Sequence, residues 1–267
     1  MKDSRPIGVF DSGIGGLTVL KVLAQKFPQE SFIYLGDTAR LPYGSKSAQT
    51  IRKYSEQNIR YLFRQGVKAV VIACNSASSQ FQESEFEGVL IYNTIFPGCR
   101  RALEVSKNKK IGLLGTRATV KSAAYSTELI RQDPQVEVFS QACPLFVPLA
   151  EEGWISDPIT NLVAYRYVNP VVNRGIDTLI LGCTHYPILR EAIRKVVGND
   201  VELVDSGDAI AEQVARDILS SRFRDTRADA VQHIRILTTD SSEHFTDLAR
   251  KILDPLKVEE FQVVDIA

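Results

Sequence analysis

Short apolar runs that recur along the whole chain constrain its fold more than any other feature of the sequence. Most of them are apolar at odd and even positions alike, so a strand formed there must be buried on both faces. The stretches between them are amphipathic; in 47–65, for example, Ile51, Tyr54, Ile59 and Leu62 recur at helical spacing. Strands that alternate with helices predict an α/β protein with mainly parallel sheets flanked by helices. The predicted strands are IGVF (7–10), SFIYLG (31–36), KAVVIA (68–73), VLIYN (89–93), KIGLLG (110–115), VEVFSQA (136–142), DTLILG (177–182) and VELVD (201–205).

Two of these strands carry the same ending. VVIACNSAS (70–78) and LILGCTHYP (179–187) each run into a cysteine that is followed by polar residues, and each is preceded by a helix that ends in glycine. This likeness predicts two similar α/β domains that face each other, with the pattern interrupted near IFPG. We expect residues 1–97 and 207–267 to form the first domain and residues 98–206 to form the second. The tail after residue 223 is expected to add a strand–helix pair and a final strand.

The composition narrows the function classes. The 267-residue chain has 32 Lys plus Arg against 32 Asp plus Glu, so nothing favours nucleic acid or an anionic membrane as its main partner. The start MKDSRPIGVFD lacks the apolar stretch of a signal peptide, and no run approaches the roughly 20 apolar residues of a membrane helix. The four cysteines include no CxxC motif and no Cys/His ligand cluster, so neither a disulfide framework nor a structural metal is indicated. We predict a cytoplasmic enzyme or small-molecule binder with reduced thiols and no metal.

A glycine-rich loop, FDSGIGG (10–16), follows the first predicted strand, at the sheet edge where ligands of open α/β folds bind. A dinucleotide fingerprint on these glycines would require Gly or Ala at Thr18, and no G-x-x-x-x-G-K-[ST] motif occurs in the chain. We therefore expect the glycines to form a tight turn that presents Asp11 and Ser12 to a cleft. The simpler alternative is that Asp11 only caps the next helix.

A second loop, GDTARLPYGSKS (36–47), follows the next predicted strand. Backbone N–H groups around Tyr43 and Gly44 would suit a small carboxylate. The simpler interpretation is a turn punctuated by Pro42, with Ser47 as the N-cap of the following helix.

The paired cysteines carry the most specific chemistry. A lone buried cysteine usually packs as a small apolar residue, and we expect this of Cys99 and Cys143. Cys74 and Cys183 differ, because each ends a strand beside hydrogen-bonding side chains and at the start of a helix, where a thiolate is stabilised. A disulfide oxidoreductase would bring CxxC, and a thiol hydrolase needs only one cysteine and a base. Two opposed thiols suit removal of a proton from one face of a carbon and its return on the other, which predicts a cofactor-independent racemase or epimerase.

Five blocks of the sequence closely resemble the glutamate racemases, which belong to the pyridoxal-independent Asp/Glu racemase superfamily. In order they are IGVFDSGIGGLTVLK, GDTARLPYGSKS, IACNSAS, PLFVPLAEEG and LILGCTHYPIL, and the likeness covers residues 7 to about 210. The resemblance implies two α/β domains related by a pseudo-twofold axis, with the active site in the cleft between them. It also implies interconversion of L- and D-glutamate for peptidoglycan synthesis, with glutamate as the small-molecule partner, no cofactor, and a homodimer.

The resemblance also implies roles for individual residues. Cys74 matches the acid/base that deprotonates D-glutamate, and Cys183 matches the one that deprotonates L-glutamate. Asp11 and His185 match supporting residues, each beside one thiol, and Glu151 matches a third. The segments that hold the substrate match Asp11, Ser12, Pro42, Tyr43, Gly44, Asn75, Ser76, Thr184 and His185.

The chain departs from the family pattern at three places. Ser76 stands where the family usually has threonine, Ala150 where it usually has valine, and IYNTIFPGCRRA (91–102) replaces a more aliphatic segment. Serine keeps the hydroxyl and loses a methyl, and none of the departures removes a catalytic group. Two alternatives therefore stay open: a racemase of aspartate or another amino acid, and a catalytically silent binding or regulatory protein on the same fold. Retention of both Cys74 and Cys183 argues against the silent protein, because binding alone does not require paired thiols.

Overall fold

Two separate sheets organise the computed structural model, which describes residues 3–220, 231–240 and 243–266. All eight strands predicted from the sequence are present, each within one residue of its predicted bounds. The part of the tail prediction that falls on residues 223–230 lies outside the described residues, and beyond it the expected strand, helix and final strand follow. The prediction of an α/β protein with mainly parallel sheets is confirmed.

The larger sheet has seven strands in the order β11-β10-β2-β1-β3-β5-β4. Every neighbouring pair is parallel except β4 and β5, which form an antiparallel pair at one edge. Its strands are β1 (Ile7–Asp11), β2 (Phe32–Gly36), β3 (Ala69–Ile72), β4 (Glu85–Phe86), β5 (Val89–Asn93), β10 (Ile234–Thr238) and β11 (Glu260–Val263).

The smaller sheet has four parallel strands in the order β7-β6-β8-β9. Its two central strands end in register, since Gly115 of β6 pairs with Gly182 of β8. The residues that follow these two glycines therefore emerge side by side at the carboxyl edge of the sheet. The strands are β6 (Lys110–Gly115), β7 (Glu137–Ala142), β8 (Thr178–Gly182) and β9 (Glu202–Asp205).

Helices cover both sheets, and none of those in the described residues is long and apolar enough to cross a membrane. Three short 3-10 turns lie at Thr38–Arg40, Tyr43–Ser45 and Tyr186–Leu189. The α-helices are α1 (Leu17–Lys26), α2 (Ala48–Arg64), α3 (Asn75–Ser78), α4 (Ile95–Val105), α5 (Arg117–Ser122), α6 (Ala124–Gln132), α7 (Phe146–Glu151), α8 (Pro158–Val172), α9 (Arg190–Val197), α10 (Ser206–Ser220) and α11 (Glu243–Leu253).

Helix α2 shows how the sequence sets an element and the face that it buries. Ser47 caps the helix by accepting a hydrogen bond from the Thr50 N–H at 3.2 Å, as its side chain predicted. Ile51, Ile59 and Leu62 are buried against one side of the larger sheet, because their spacing places them on one helical face. Burial of each such side chain contributes about 1.5–3 kcal/mol of transfer free energy.

The chain passes between the two sheets through helices α4 and α10. The segment IFPG, expected to interrupt the pattern, instead begins α4, and Pro97 is tolerated because it lies in the first turn. Cys99 and Ala102 of α4 pack with strands of the smaller sheet. Ile210 and Val214 of α10 pack with strands of the larger sheet. After the chain leaves one sheet, the first helix that follows already packs on the other sheet.

Candidate active site

A cavity lies where the carboxyl ends of the two sheets face each other, and it brings the two predicted cysteines together. Ten of the twelve residues predicted for the site line it, while Asp11 and Glu151 lie behind the lining and contact it. The cavity measures about 10 Å³, close to the smallest volume that holds one ordered water, so an amino acid requires its walls to move apart. The lining residues are Ser12, Leu41, Pro42, Tyr43, Gly44, Cys74, Asn75, Ser76, Thr116, Val147, Cys183, Thr184 and His185.

Cys74 lies just beyond the end of β3, at the N-cap of the short helix α3. Its side chain is buried, and its sulfur lies 3.8 Å from the Ser12 hydroxyl oxygen. Burial raises the pKa of the Cys74 thiol well above its usual range, and the negative charge of Asp11 raises it further. In this arrangement Cys74 is therefore a protonated thiol.

Cys183 lies at the matching position after β8, but its neighbours differ in charge. Its sulfur is 3.9 Å from Nδ1 of His185, and Nε2 of the same ring is 2.9 Å from Oε1 of Glu151. Burial by itself lowers the pKa of His185, but the contacts with Cys183 and Glu151 outweigh burial and raise it to about 10. His185 is thus an imidazolium near neutral pH, so one thiol has a carboxylate for a neighbour and the other has a cation.

Asp11 connects the two sheets across the cleft. One carboxylate oxygen accepts a hydrogen bond from the Gly13 N–H at 2.9 Å, and the other accepts from the Thr184 hydroxyl at 3.1 Å. Helix α1 has Gly16 at its N-cap without a side-chain hydrogen bond. The alternative in which Asp11 merely caps that helix is therefore wrong. Its fully buried side chain instead fixes the loop that carries Cys183.

The glycine-rich loop after β1 allows the two sides of the cleft to approach closely. A Cβ atom on Gly15 would lie 2.4 Å from Oγ1 of Thr184 and 2.6 Å from Nδ1 of His185, closer than real Cβ contacts. The glycine is needed here for this approach, in addition to the turn that the sequence predicted.

The loop after β2 presents its backbone to the cavity and turns its tyrosine hydroxyl away. The Tyr43 hydroxyl donates to the buried carboxylate of Asp37 and accepts a hydrogen bond from Nδ2 of Asn58 at 3.0 Å. Asp37 also accepts from Nε of Arg40 at 2.8 Å and from the Thr239 hydroxyl at 3.1 Å. A contact between Tyr43 and a substrate therefore has to use the main chain, whose N–H groups begin a 3-10 turn.

Thr116 is the polar lining residue that the sequence analysis missed. Its hydroxyl lies 2.9 Å from the Ser76 hydroxyl across the cleft, and a Cβ on Gly44 would meet its Cβ at 2.5 Å. The signal for it was present, because Thr116 follows KIGLLG in the same way that Cys183 follows TLILG. The apolar lining residues Leu41 and Val147 carried no comparable signal.

The comparisons with known proteins agree with this site and fold. The chain matches the model of the Asp/Glu/hydantoin racemase family over residues 17–214. The glutamate racemase of Sulfurihydrogenibium sp. is 44% identical over 264 residues, which cover 98% of this chain and 98% of that protein.

Solved structures of glutamate racemases show the same fold over nearly the whole chain. The enzyme from Francisella tularensis in complex with D-glutamate superposes with a TM-score of 0.91 at 36% identity, covering 99% of this chain and 98% of that one. The RacE1 isoform from Bacillus anthracis gives a TM-score of 0.91 at 32% identity, covering 98% and 97%. The chain belongs to the Asp/Glu/hydantoin racemase family, as its five sequence blocks indicated. It is an amino-acid racemase, that is, an isomerase.

Proposed function

We propose that this racemase interconverts L- and D-glutamate by proton transfer at Cα between two cysteines and without a cofactor. The observation that carries the proposal is that Cys74 and Cys183 line one cavity while each follows a strand of a different sheet. Thiols that reach a single space from opposite sides are the arrangement that inversion at one carbon requires.

The proposed reaction transfers one proton in each half. A thiolate on one side removes the α-proton, and the C–H electron pair is delocalised into the α-carboxylate. The thiol on the other side then gives its proton to the opposite face of Cα, so that the configuration is inverted and no net proton is consumed. After turnover the two sulfurs have exchanged protonation states. We assign Cys183 to L-glutamate and Cys74 to D-glutamate.

The unlike surroundings of the two thiols support distinct starting states. The His185 imidazolium, held by Glu151, balances the negative charge of a thiolate at Cys183. Asp11 beside Cys74 favours the protonated thiol there. Removal of the α-proton of L-glutamate by Cys183 is therefore assisted by a neighbouring cation. In the reverse direction, Cys74 must become the thiolate against the charge of Asp11.

Several polar groups of the lining suit an amino acid with two carboxylates. Ser76 and Thr116 bring hydroxyls together from opposite sides of the cleft, and the main chain of Tyr43 and Gly44 offers N–H groups. We propose that these groups, with Ser12, Pro42, Asn75, Thr184 and His185, bind the substrate. Glutamate is favoured over aspartate by the relatives, since the matched solved structure from Francisella tularensis holds D-glutamate.

The remaining expectations are proposals that rest mainly on the family. We propose that the product serves peptidoglycan synthesis, that the protein acts in the cytoplasm and that it forms a homodimer. The four free cysteines of the chain fit a reducing compartment. We also propose domain boundaries at 97/98 and 206/207, which are supported to within a few residues by the packing of α4 on the smaller sheet and of α10 on the larger sheet.

The decisive experiment follows the α-proton of L-glutamate in D₂O by NMR, together with optical activity, with purified and reduced enzyme. Loss of both signals for glutamate, with L-aspartate unchanged in parallel, is the expected result. Exchange with aspartate instead would assign the chain to a different substrate. Folded protein that exchanges neither substrate would overturn the proposal and favour the silent binding protein.

A further inference from the structure

Four buried side chains form a hydrogen-bonded cluster directly behind the cavity wall at Asn75. Oδ1 of Asn75 accepts hydrogen bonds from the Tyr125 hydroxyl at 2.5 Å and from the Thr94 hydroxyl at 3.1 Å. Nδ2 of Asn75 donates to the Ser206 hydroxyl at 3.1 Å. All four residues are at most 1% exposed, so water does not compete for these bonds.

The cluster joins four different elements. Asn75 is the first residue of α3, and Tyr125 belongs to α6 in the other half of the molecule. Thr94 is the N-cap of α4 and Ser206 is the first residue of α10, which are the two helices that connect the sheets. The Asn75 amide is therefore held from both sides of the cleft.

In the observed orientation of the Asn75 amide, its oxygen faces two hydroxyl donors and its nitrogen faces one hydroxyl acceptor. Burial raises the pKa of Tyr125, so its hydroxyl stays protonated and donates. Together with the Thr94 hydroxyl it occupies both lone pairs of Oδ1. The amide carries two N–H groups, and the bond to Ser206 uses one of them. The other N–H is what the Asn75 side chain can offer to a ligand in the cavity that it lines.

We propose that Tyr125 and Thr94 are positioning residues that lock the Asn75 amide so that it presents an N–H group, and never its carbonyl oxygen, to a carboxylate of the substrate. A flipped amide would aim Oδ1 at the carboxylate, which repels it, and would replace the acceptor of the Tyr125 and Thr94 hydroxyls by an N–H donor, so that both hydroxyls would have to reorient. The inference rests on the proposed function only in taking an amino acid as the ligand.

A purely structural role is the competing explanation, in which the cluster only joins the two halves of the molecule. Both explanations predict a lower melting temperature when a hydroxyl is removed. They differ in substrate affinity, and in whether Tyr125 acts through Asn75 or independently of it.

The test uses Tyr125→Phe, Thr94→Val, Asn75→Ala and the double variant Tyr125→Phe/Asn75→Ala. Thr178→Val is the matched control, because it removes another fully buried hydroxyl, one that donates to Asp177 at the opposite end of β8 from Cys183. The steady-state kcat and KM are measured for L- and D-glutamate, and the melting temperature is measured for every variant.

We expect Tyr125→Phe and Thr94→Val to raise KM about fivefold to tenfold, because they weaken the hydrogen bond from Asn75 to the substrate carboxylate without removing it, with kcat within about threefold of wild type. The quotient kcat/KM must fall by the same factor for both enantiomers, because their equilibrium constant is one. In the Asn75→Ala background, Tyr125→Phe should change KM no further, because the amide that Tyr125 positions is already absent. Thr178→Val should leave KM unchanged.

An unchanged KM in folded Tyr125→Phe and Thr94→Val would overturn the inference, as would full additivity of the Tyr125 and Asn75 substitutions. If the wild-type enzyme turns over neither enantiomer, the proposed function fails, and the dissociation constant for D-glutamate takes the place of KM in the same comparison. An equal dissociation constant for wild type and Tyr125→Phe would then overturn the inference separately.

Discussion

Cys183 Sγ lies 3.9 Å from Nδ1 of His185, so a single imidazole stands between one thiol of the cavity and the carboxylate of Glu151. The sulfur of the opposite thiol, Cys74, is 3.8 Å from the Ser12 hydroxyl, and the negative charge of Asp11 raises the pKa of this thiol. The two thiols are chemically identical and follow matching strands, but the charges next to them differ. Each direction of racemisation therefore begins at a thiol with a different neighbouring charge, and the effect of that charge can be measured.

The first prediction concerns pH and stability. The pKa of His185 is raised to about 10 in the folded protein from an ordinary value of 6.5. Protonation thus favours the folded state, and this contribution is fully present below pH 6.5 and is lost as the pH rises through about 10. We expect the difference in free energy of unfolding between wild type and His185→Gln to be largest near pH 6 and to shrink towards about pH 10. Urea unfolding across this range measures it.

The control for this prediction is His233→Gln, which removes a half-exposed histidine at the larger sheet. Its effect on the free energy of unfolding near pH 6 should be smaller than that of His185→Gln. A difference between wild type and His185→Gln that stays constant from acid to alkaline pH would contradict the assigned charge of His185.

The second prediction concerns the paired thiols. Cys74→Ser and Cys183→Ser should each lower kcat for racemisation by about 10²- to 10⁴-fold, because a hydroxyl cannot replace a thiol as the acid/base at neutral pH. Both directions must be measured with L- and D-glutamate. Cys99→Ala is the control, since Cys99 is buried away from the cavity and donates to a backbone carbonyl. Retention of substantial turnover by either serine variant would refute the two-thiol proposal.

The sequence was sufficient to predict eight of the strands and the positions of the two cysteines that line the cavity. Runs that are apolar on both faces specify buried strands locally, and the end of such a strand specifies where a polar residue meets the carboxyl edge of a sheet. Cys74 and Cys183 were found by this rule, and Thr116 obeys the same rule after β6. It was missed because threonine at a strand end is ordinary, whereas a repeated cysteine is rare.

Contacts between distant parts of the chain could not be obtained in the same way. The bond from Asn75 to Ser206 joins residues 131 positions apart, and that from Asn75 to Tyr125 joins residues 50 apart. Nothing in the local pattern around Asn75 distinguishes an amide that binds substrate freely from one held by three hydroxyls. The direction of the Tyr43 hydroxyl could likewise not be predicted from the sequence. It depends on the Asp37 carboxylate, which could equally have faced solvent.

The third prediction concerns the loop after β2. Tyr43→Phe removes one hydrogen bond from the fully buried Asp37 carboxylate. We expect a loss of about 1–3 kcal/mol in the free energy of unfolding and a KM for glutamate raised about fivefold, since the loop that offers N–H groups to the cavity is less firmly held. Urea unfolding and steady-state kinetics measure the two effects.

Tyr54→Phe is the control for Tyr43→Phe, because it keeps the ring that lies 4.2 Å from the Arg40 guanidinium and leaves the Asp37 contacts intact. It should leave KM unchanged. If Tyr43→Phe loses stability but binds glutamate as tightly as wild type, the loop is held by its other contacts and Asp37 has no part in substrate affinity.

The fourth prediction concerns the approach of the two sides at Gly15. Gly15→Ala places a Cβ within 2.4–2.6 Å of Thr184 and His185, so the loop that carries Cys183 must move by several tenths of an ångström or more. A displacement of this kind between reacting groups costs up to about 10²-fold in rate, so we expect kcat to fall between about tenfold and a hundredfold. Gly66→Ala is the control: its positive φ of 76° costs about 1–2 kcal/mol of stability, but open space surrounds it and kcat should not change. If Gly15→Ala turns over at the wild-type rate, the close approach of the two loops at Gly15 is not required for proton transfer.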